Sequence, residues 1–187
     1  MPRRVAILAL AALALAAPRP AAADQALWAL LRAGGQVIVM RHAATDRSVG
    51  DPPGFRLDEC ATQRNLSEEG RAQARRVGAA FAARGIPIGR VRSSQWCRCL
   101  ETARLAFGGA EPWPALNSFF RDRTQEAEQT REVRALVSER PTTGTLVLVT
   151  HQLNIGALTG VQPAEGELVV LTPLGHDRFR VAGTMRP

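Results

Sequence analysis

Two short β-branched runs constrain this chain most, because each ends at a histidine. They are Gln36-Val-Ile-Val-Met40 before Arg41-His42, and Thr145-Leu-Val-Leu-Val-Thr150 before His151. Short, continuous apolar runs of this kind read as strands buried on both faces, as in parallel sheets. Helical patterns lie between and around them. Asp24–Gly34 reads as a first helix with Leu27, Leu30 and Leu31 on one face. Ser67 is placed to cap a second, with Glu68 and Glu69 in its first turn and Ala74, Val77 and Phe81 as its stripe. Arg90–Ser93 reads as a strand, and Ser94 as the cap of a helix carrying Trp96, Cys99, Leu100, Ala103 and Phe107. A charged helix is expected over Thr124–Glu139, a short one near Leu153–Leu158, and closing strands over Glu167–Leu171 and Arg178–Ala182. Alternation of this kind predicts an α/β three-layer sandwich around a mostly parallel sheet. Ligands of such sheets bind beyond the carboxyl ends of the strands. His42 and His151 both fall there.

The N-terminus reads as an address. Arg3-Arg4, the apolar stretch Val5–Ala17 and the small residues Ala21-Ala22-Ala23 have the order of a secretory signal peptide, making residues 1–23 a leader and 24–187 one domain. An uncleaved anchor helix is the alternative for that stretch, which is short for a membrane span. A secreted or periplasmic protein with no stable span after cleavage is expected. The net charge of +7 comes from arginine alone, since lysine is absent. Codon usage explains that composition, and a preference for anionic ligands is the functional alternative. The basic residues are scattered and not interleaved with aromatics, which excludes a nucleic-acid footprint.

The chemistry gathers on one rim. His42 follows the first strand, Arg98 lies in the first turn of the helix after Ser93-Ser94, and His151 follows the last parallel strand. An imidazole nitrogen can take a phosphoryl group and divide its hydrolysis into two easier steps. Two guanidiniums can hold the equatorial oxygens.

Taken together these segments resemble the histidine phosphatase, or phosphoglycerate mutase-like, superfamily. Val39-Met-Arg-His-Ala43 stands in place of the family's Arg-His-Gly motif, and Asn65-Leu-Ser-Glu-Glu-Gly70 opens the following helix. Ser93-Ser-Gln-Trp-Cys-Arg-Cys-Leu-Glu-Thr-Ala103 and Val147-Leu-Val-Thr-His151 match in order over residues 36–160. The resemblance implies a compact fold without a large cap insertion. It implies a phosphohistidine at His42, with Arg41, Arg98 and His151 completing the phosphate pocket, and no metal or organic cofactor. A phosphorylated small molecule, sugar or protein is the implied partner. Asp46, in the loop after His42, is a further candidate contact.

Two departures stand out. Ala43 replaces the usual glycine, so an ordinary backbone conformation is expected there. Leu116-Asn117-Ser118 stands where family members carry an acidic proton donor, leaving Asp46, Asp58, Asp122, Glu126 or no residue for that role. Without a dedicated acid, good leaving groups such as phosphohistidine or acyl phosphates are favoured. A phosphate-binding protein with weak catalysis is the alternative. Of the three cysteines, Cys60–Cys97 is the better pair, with Cys60–Cys99 or three free thiols as the alternatives, and Cys99 lies on the apolar helix face.

Overall fold

A computed structural model describes residues 20–187. The expected leader, residues 1–23, lies largely outside them. Its last four residues fall in helix α1, which runs Pro20–Arg32 and so begins before Asp24.

Strands β1 (Val37–Arg41), β2 (Ile88–Ser93), β3 (Glu111–Pro112), β4 (Thr145–Thr150), β5 (Leu168–Gly175) and β6 (Arg178–Met185) form one sheet in the order β3-β2-β4-β1-β5-β6. β1 to β4 pair in parallel, while β5 and β6 return antiparallel. All six residues of β4 are buried, as are the first four of β1. Both strands are central and covered on both faces, and their sequences read accordingly.

Helix α1 and helices α2 (Glu68–Ala83) and α3 (Cys97–Phe107) cover one face. Their core joins Leu31, Phe81 and Trp96 to Ile38, Val147 and Val170 of the sheet. Helices α4 (Glu126–Ser138) and α5 (Gln152–Thr159) cover the other, where Val133, Val137 and Ile155 meet Val39, Leu148 and Val169. The alternation of Ile38 with Val39, and of Val147 with Leu148, divides each strand between the two cores. β5 and β6 turn at His176-Asp177, both at positive φ and exposed, as expected of a surface hairpin.

Three features fix the rim. Ser67 caps α2, its hydroxyl accepting from the Gly70 amide at 3.0 Å. Gly70 presses against the backbone of Ala44: a Cβ there would lie 1.8 Å from the Ala44 oxygen. Finally, a Cys60–Cys97 disulfide ties the irregular segment between β1 and α2 to the first residue of α3, and Cys99 stays free and buried.

Candidate active site

Parallel pairing puts the ends of β1 and β4 side by side. The His42 amide continues the ladder, donating to the Thr150 carbonyl at 3.0 Å. The two imidazoles thus stand edge to face, 5.4 Å between centroids. Both are almost fully buried, at 3% and 4% exposure.

His42 Nδ1 lies 2.9 Å from its neighbour's carbonyl, Ala43 O. A carbonyl only accepts, so Nδ1 carries the proton and Nε2 keeps a lone pair. Nε2 makes no hydrogen bond within the described residues and is not sealed from the pocket. Ala43 keeps an ordinary backbone conformation, as its side chain requires. Its amide donates to Thr102 Oγ1 at 3.0 Å, which locks the carbonyl that holds the ring. Burial pushes the His42 pKa down to about 3, helped by the nearby Arg98, Arg41 and Arg64 charges and opposed by the Ala43 hydrogen bond. His151 is lowered well below its ordinary value by burial first, then by His42 and the same arginines. Both rings are therefore neutral at neutral pH.

Three guanidiniums converge on these rings. Arg41 donates Nη1 to Pro163 O at 2.9 Å, with Glu165 4.0 Å from Nη2. Arg98 stacks over Trp96 at 4.3 Å and donates to both oxygens of Asp51, at 2.9 and 3.4 Å. Arg64 offers its carbonyl to Arg98 at 3.3 Å and lies 3.9 Å from Asp51. The Nε of all three is buried and has no hydrogen-bond partner among the described residues. Orphaned buried donors are costly. The three arginines and the two histidines line one cavity of about 220 Å³, and that concentration of positive charge makes it a cradle for a small oxyanion.

The family model of the histidine phosphatase superfamily (branch 1) matches residues 37–127, which hold His42, Arg64 and Arg98 of this pocket. Over that segment the chain matches the histidine phosphatase superfamily. Solved structures agree on the fold. The protein histidine phosphatase SixA complexed with tungstate is 17% identical, with a TM-score of 0.59 over 81% of this chain and 96% of its own. A phosphoserine phosphatase mutant from Entamoeba histolytica in complex with phosphoserine is 14% identical, with a TM-score of 0.56 over 80% and 95%. A mycobacterial glucosyl-3-phosphoglycerate phosphatase complexed with VO3 is 19% identical, with a TM-score of 0.54 over 78% and 96%. No curated protein sequence matches the chain.

Of the residues singled out in the sequence, the fold brings Arg41, His42, Arg98 and His151 together and leaves Asp46 outside. The Asp46 carboxylate faces solvent and is taken by its neighbour Ser48, whose amide and hydroxyl donate to it at 2.9 and 2.6 Å. Asp58, Asp122 and Glu126 are equally remote, paired locally with Arg56, Thr124 and Arg123. Asp51 and Arg64 occupy the pocket instead. Ser94 does not cap α3, which starts from Trp96 without a side-chain cap. The Ser94 hydroxyl lies 2.9 Å from His151 Nε2. Trp96 serves both as core and as wall, buried against Phe55 at 4.2 Å and His151 at 5.8 Å. Gln152 reaches the pocket; Asn154 does not, its amide being given to Asn117 O at 2.8 Å.

Proposed function

We propose that this chain is an exported, metal-independent phosphohydrolase that works through a phosphohistidine on His42. The observation that carries the reading is the single orientation open to the His42 ring. Nδ1–H is spent on Ala43 O, so the Nε2 lone pair faces a cavity ringed by three guanidiniums. Nε2 attacks phosphorus as the bond to the leaving group breaks, and water then cleaves the P–N bond. Arg41, Arg64 and Arg98 match the charge of the equatorial oxygens. Export rests on Arg3-Arg4, the apolar stretch Val5–Ala17 and the small residues before Asp24.

The substrates that suit this pocket are phosphate monoesters, phosphoproteins or envelope-sugar phosphates with leaving groups that need little protonation. Among the described residues the carboxylate lining the pocket is that of Asp51, and both of its oxygens are taken by the Arg98 fork, so neither is free to serve a leaving group. The same observation favours a second reading, a phosphate-ligand binding protein with weak turnover.

Hydrolysis of p-nitrophenyl phosphate in buffer containing a chelator, wild type beside His42→Ala, separates the two. Turnover that disappears in the variant supports the phosphohydrolase. A folded wild type that binds phosphate without turnover moves the assignment to the binding protein.

A further inference from the structure

Hydrogen-bond polarity beneath the pocket determines more than the position of His151. Asn117, on the segment after β3, sends its amide oxygen to two donors and its amide nitrogen to an acceptor. The Gln95 backbone N–H donates to Asn117 Oδ1 at 2.8 Å, and Asn117 Nδ2 donates to Gln95 Oε1, also at 2.8 Å. A backbone N–H needs an acceptor, so this pair fixes which way the Asn117 amide faces. The Ser94 hydroxyl lies 3.1 Å from the same Oδ1. An amide oxygen cannot donate, so the one hydroxyl proton of Ser94 goes to Asn117. Ser94 Oγ then meets His151 Nε2, at 2.9 Å, with a lone pair only. Nε2 must therefore carry a proton. The other neighbour of Nε2 agrees: Cys99 Sγ stands 3.5 Å away while its thiol faces the Thr150 carbonyl at 3.8 Å. Burial pushes that thiol up to about 12, so it stays protonated and uncharged.

We infer that Asn117 is a positioning residue that, through Ser94, fixes the proton of neutral His151 on Nε2, so that His151 must gain a second proton, on Nδ1, when an oxyanion enters. This rests on the reading of the pocket as a phosphoryl site. Nδ1 makes no hydrogen bond within the described residues and is not sealed from solvent. In the neutral ring it presents a lone pair, which repels a phosphoryl oxygen. Uptake of a proton from solvent turns it into a donor. The charged and titratable groups around the ring are His42 and Arg41 from the end of β1, Arg64 and Asp51 from the following segment, and Arg98 and Cys99 from α3. The four cationic or basic side chains among them oppose that proton in the empty site, and a dianion lying between them reverses the balance. His42 and His151 are thus held in opposite tautomers, one by a carbonyl and the other by a hydroxyl.

Nitrogen-15 NMR of the histidines tests this without any variant. Neutral His151 is expected to show a pyrrole-type Nε2 and a pyridine-type Nδ1, and His42 the reverse. In Asn117→Leu the Ser94 hydroxyl is free to donate to Nε2, and the His151 proton moves to Nδ1. Asn117→Asp, whose carboxylate oxygen still accepts from Ser94, keeps it on Nε2. Calorimetry of tungstate binding in buffers of different ionisation enthalpy gives the second readout. The wild type should take up about one more proton per tungstate than Asn117→Leu. A wild-type His151 protonated on Nδ1, or equal proton uptake by the folded Leu variant, overturns the inference. Should Asn117→Leu fail to fold, the wild-type and Asn117→Asp spectra still decide. Failure of tungstate to bind at all counts against the phosphoryl pocket, and the wild-type spectrum still decides the tautomer.

Discussion

Replacing Asp51 by Asn should make the pocket bind oxyanions more tightly. The Asp51 carboxylate sits on the Arg98 fork at 2.9 and 3.4 Å, with Arg98 at 3% exposure and Asp51 at 10%. An anion that joins the Arg98 guanidinium approaches this carboxylate to about 5 Å. At an effective dielectric of about 20, two unit charges at that distance repel by about 3 kcal/mol. Asn keeps one acceptor for Arg98 but orients its fork less firmly. If that loosening offsets half the gain, about 1.5 kcal/mol remains, or roughly tenfold in dissociation constant. Titration of the folded protein with inorganic phosphate, wild type against Asp51→Asn, measures it directly. Unchanged or weaker binding in the variant would refute the reasoning, because Asp51 would then be holding Arg98 ready for the ligand. The variant should also be less stable, since a buried charge loses its full partner.

Other consequences can be checked separately. Removing the Cys60–Cys97 disulfide, by Ser at both positions, should cost about 2–4 kcal/mol in denaturant melts. It should also raise KM for p-nitrophenyl phosphate more than it lowers kcat, because the freed segment carries Arg64 and Asp51; an unchanged KM contradicts that role. Gly70→Ala should destabilise by about 1–3 kcal/mol or more, since its Cβ would collide with the Ala44 oxygen at 1.8 Å; a wild-type melting temperature would show that the contact relaxes freely. His42, with a folded pKa of about 3, and His151, also depressed, are both held neutral in the folded state. The unfolded chain binds their protons at about pH 6.5, so their contribution is complete above that pH and is lost as pH falls toward their folded values. Stability should therefore drop by up to about 3 kcal/mol per pH unit below pH 6 where both titrate, and flat urea midpoints from pH 7 to pH 5 would exclude buried neutral rings.

The parts of the site that the sequence revealed are those carried by regular elements. β1 and β4 are buried on both faces, so their β-branched runs announce them, and whatever follows their last residue must lie on one rim. His42, His151 and Arg41 follow from that alone. Arg98 follows because α3 starts directly after β2. Asp51 and Arg64 were hidden for the opposite reason. They sit between β1 and α2, in a stretch whose regular structure is one short turn over Cys60–Thr62. Without periodicity nothing in the sequence separates Asp46, which turns back onto Ser48, from Asp51 five residues later, which turns in. Arg64 had one available signal: it directly precedes the Asn65-Leu-Ser opening of α2, and a residue just before a capped helix is held firmly in space. The roles of Ser94 and Asn117 needed tertiary distance, because a serine before a helix reads first as its cap.

The same burial that keeps the His42 ring neutral also explains why the segment bearing Asp51 needs so many restraints. Three guanidiniums packed against two imidazoles repel one another, and here Asp51 and Glu165 lie among them as counter-charges. Asp51 can do so only if its segment is pinned. The pins are the disulfide to α3, the Gln63 amide oxygen on the Cys97 amide at 3.0 Å, Phe55 stacked on Trp96, and Arg121 donating to the carbonyls of Asp51, Pro52 and Pro53. Each joins the segment to an element that also builds the pocket. An arriving phosphoryl group carries charge of the same sign as Asp51. Substrate binding then places a second anion on Arg98 beside the pinned Asp51, and its energy is reduced by the repulsion between the two, well below the full strength of a guanidinium–phosphate pair.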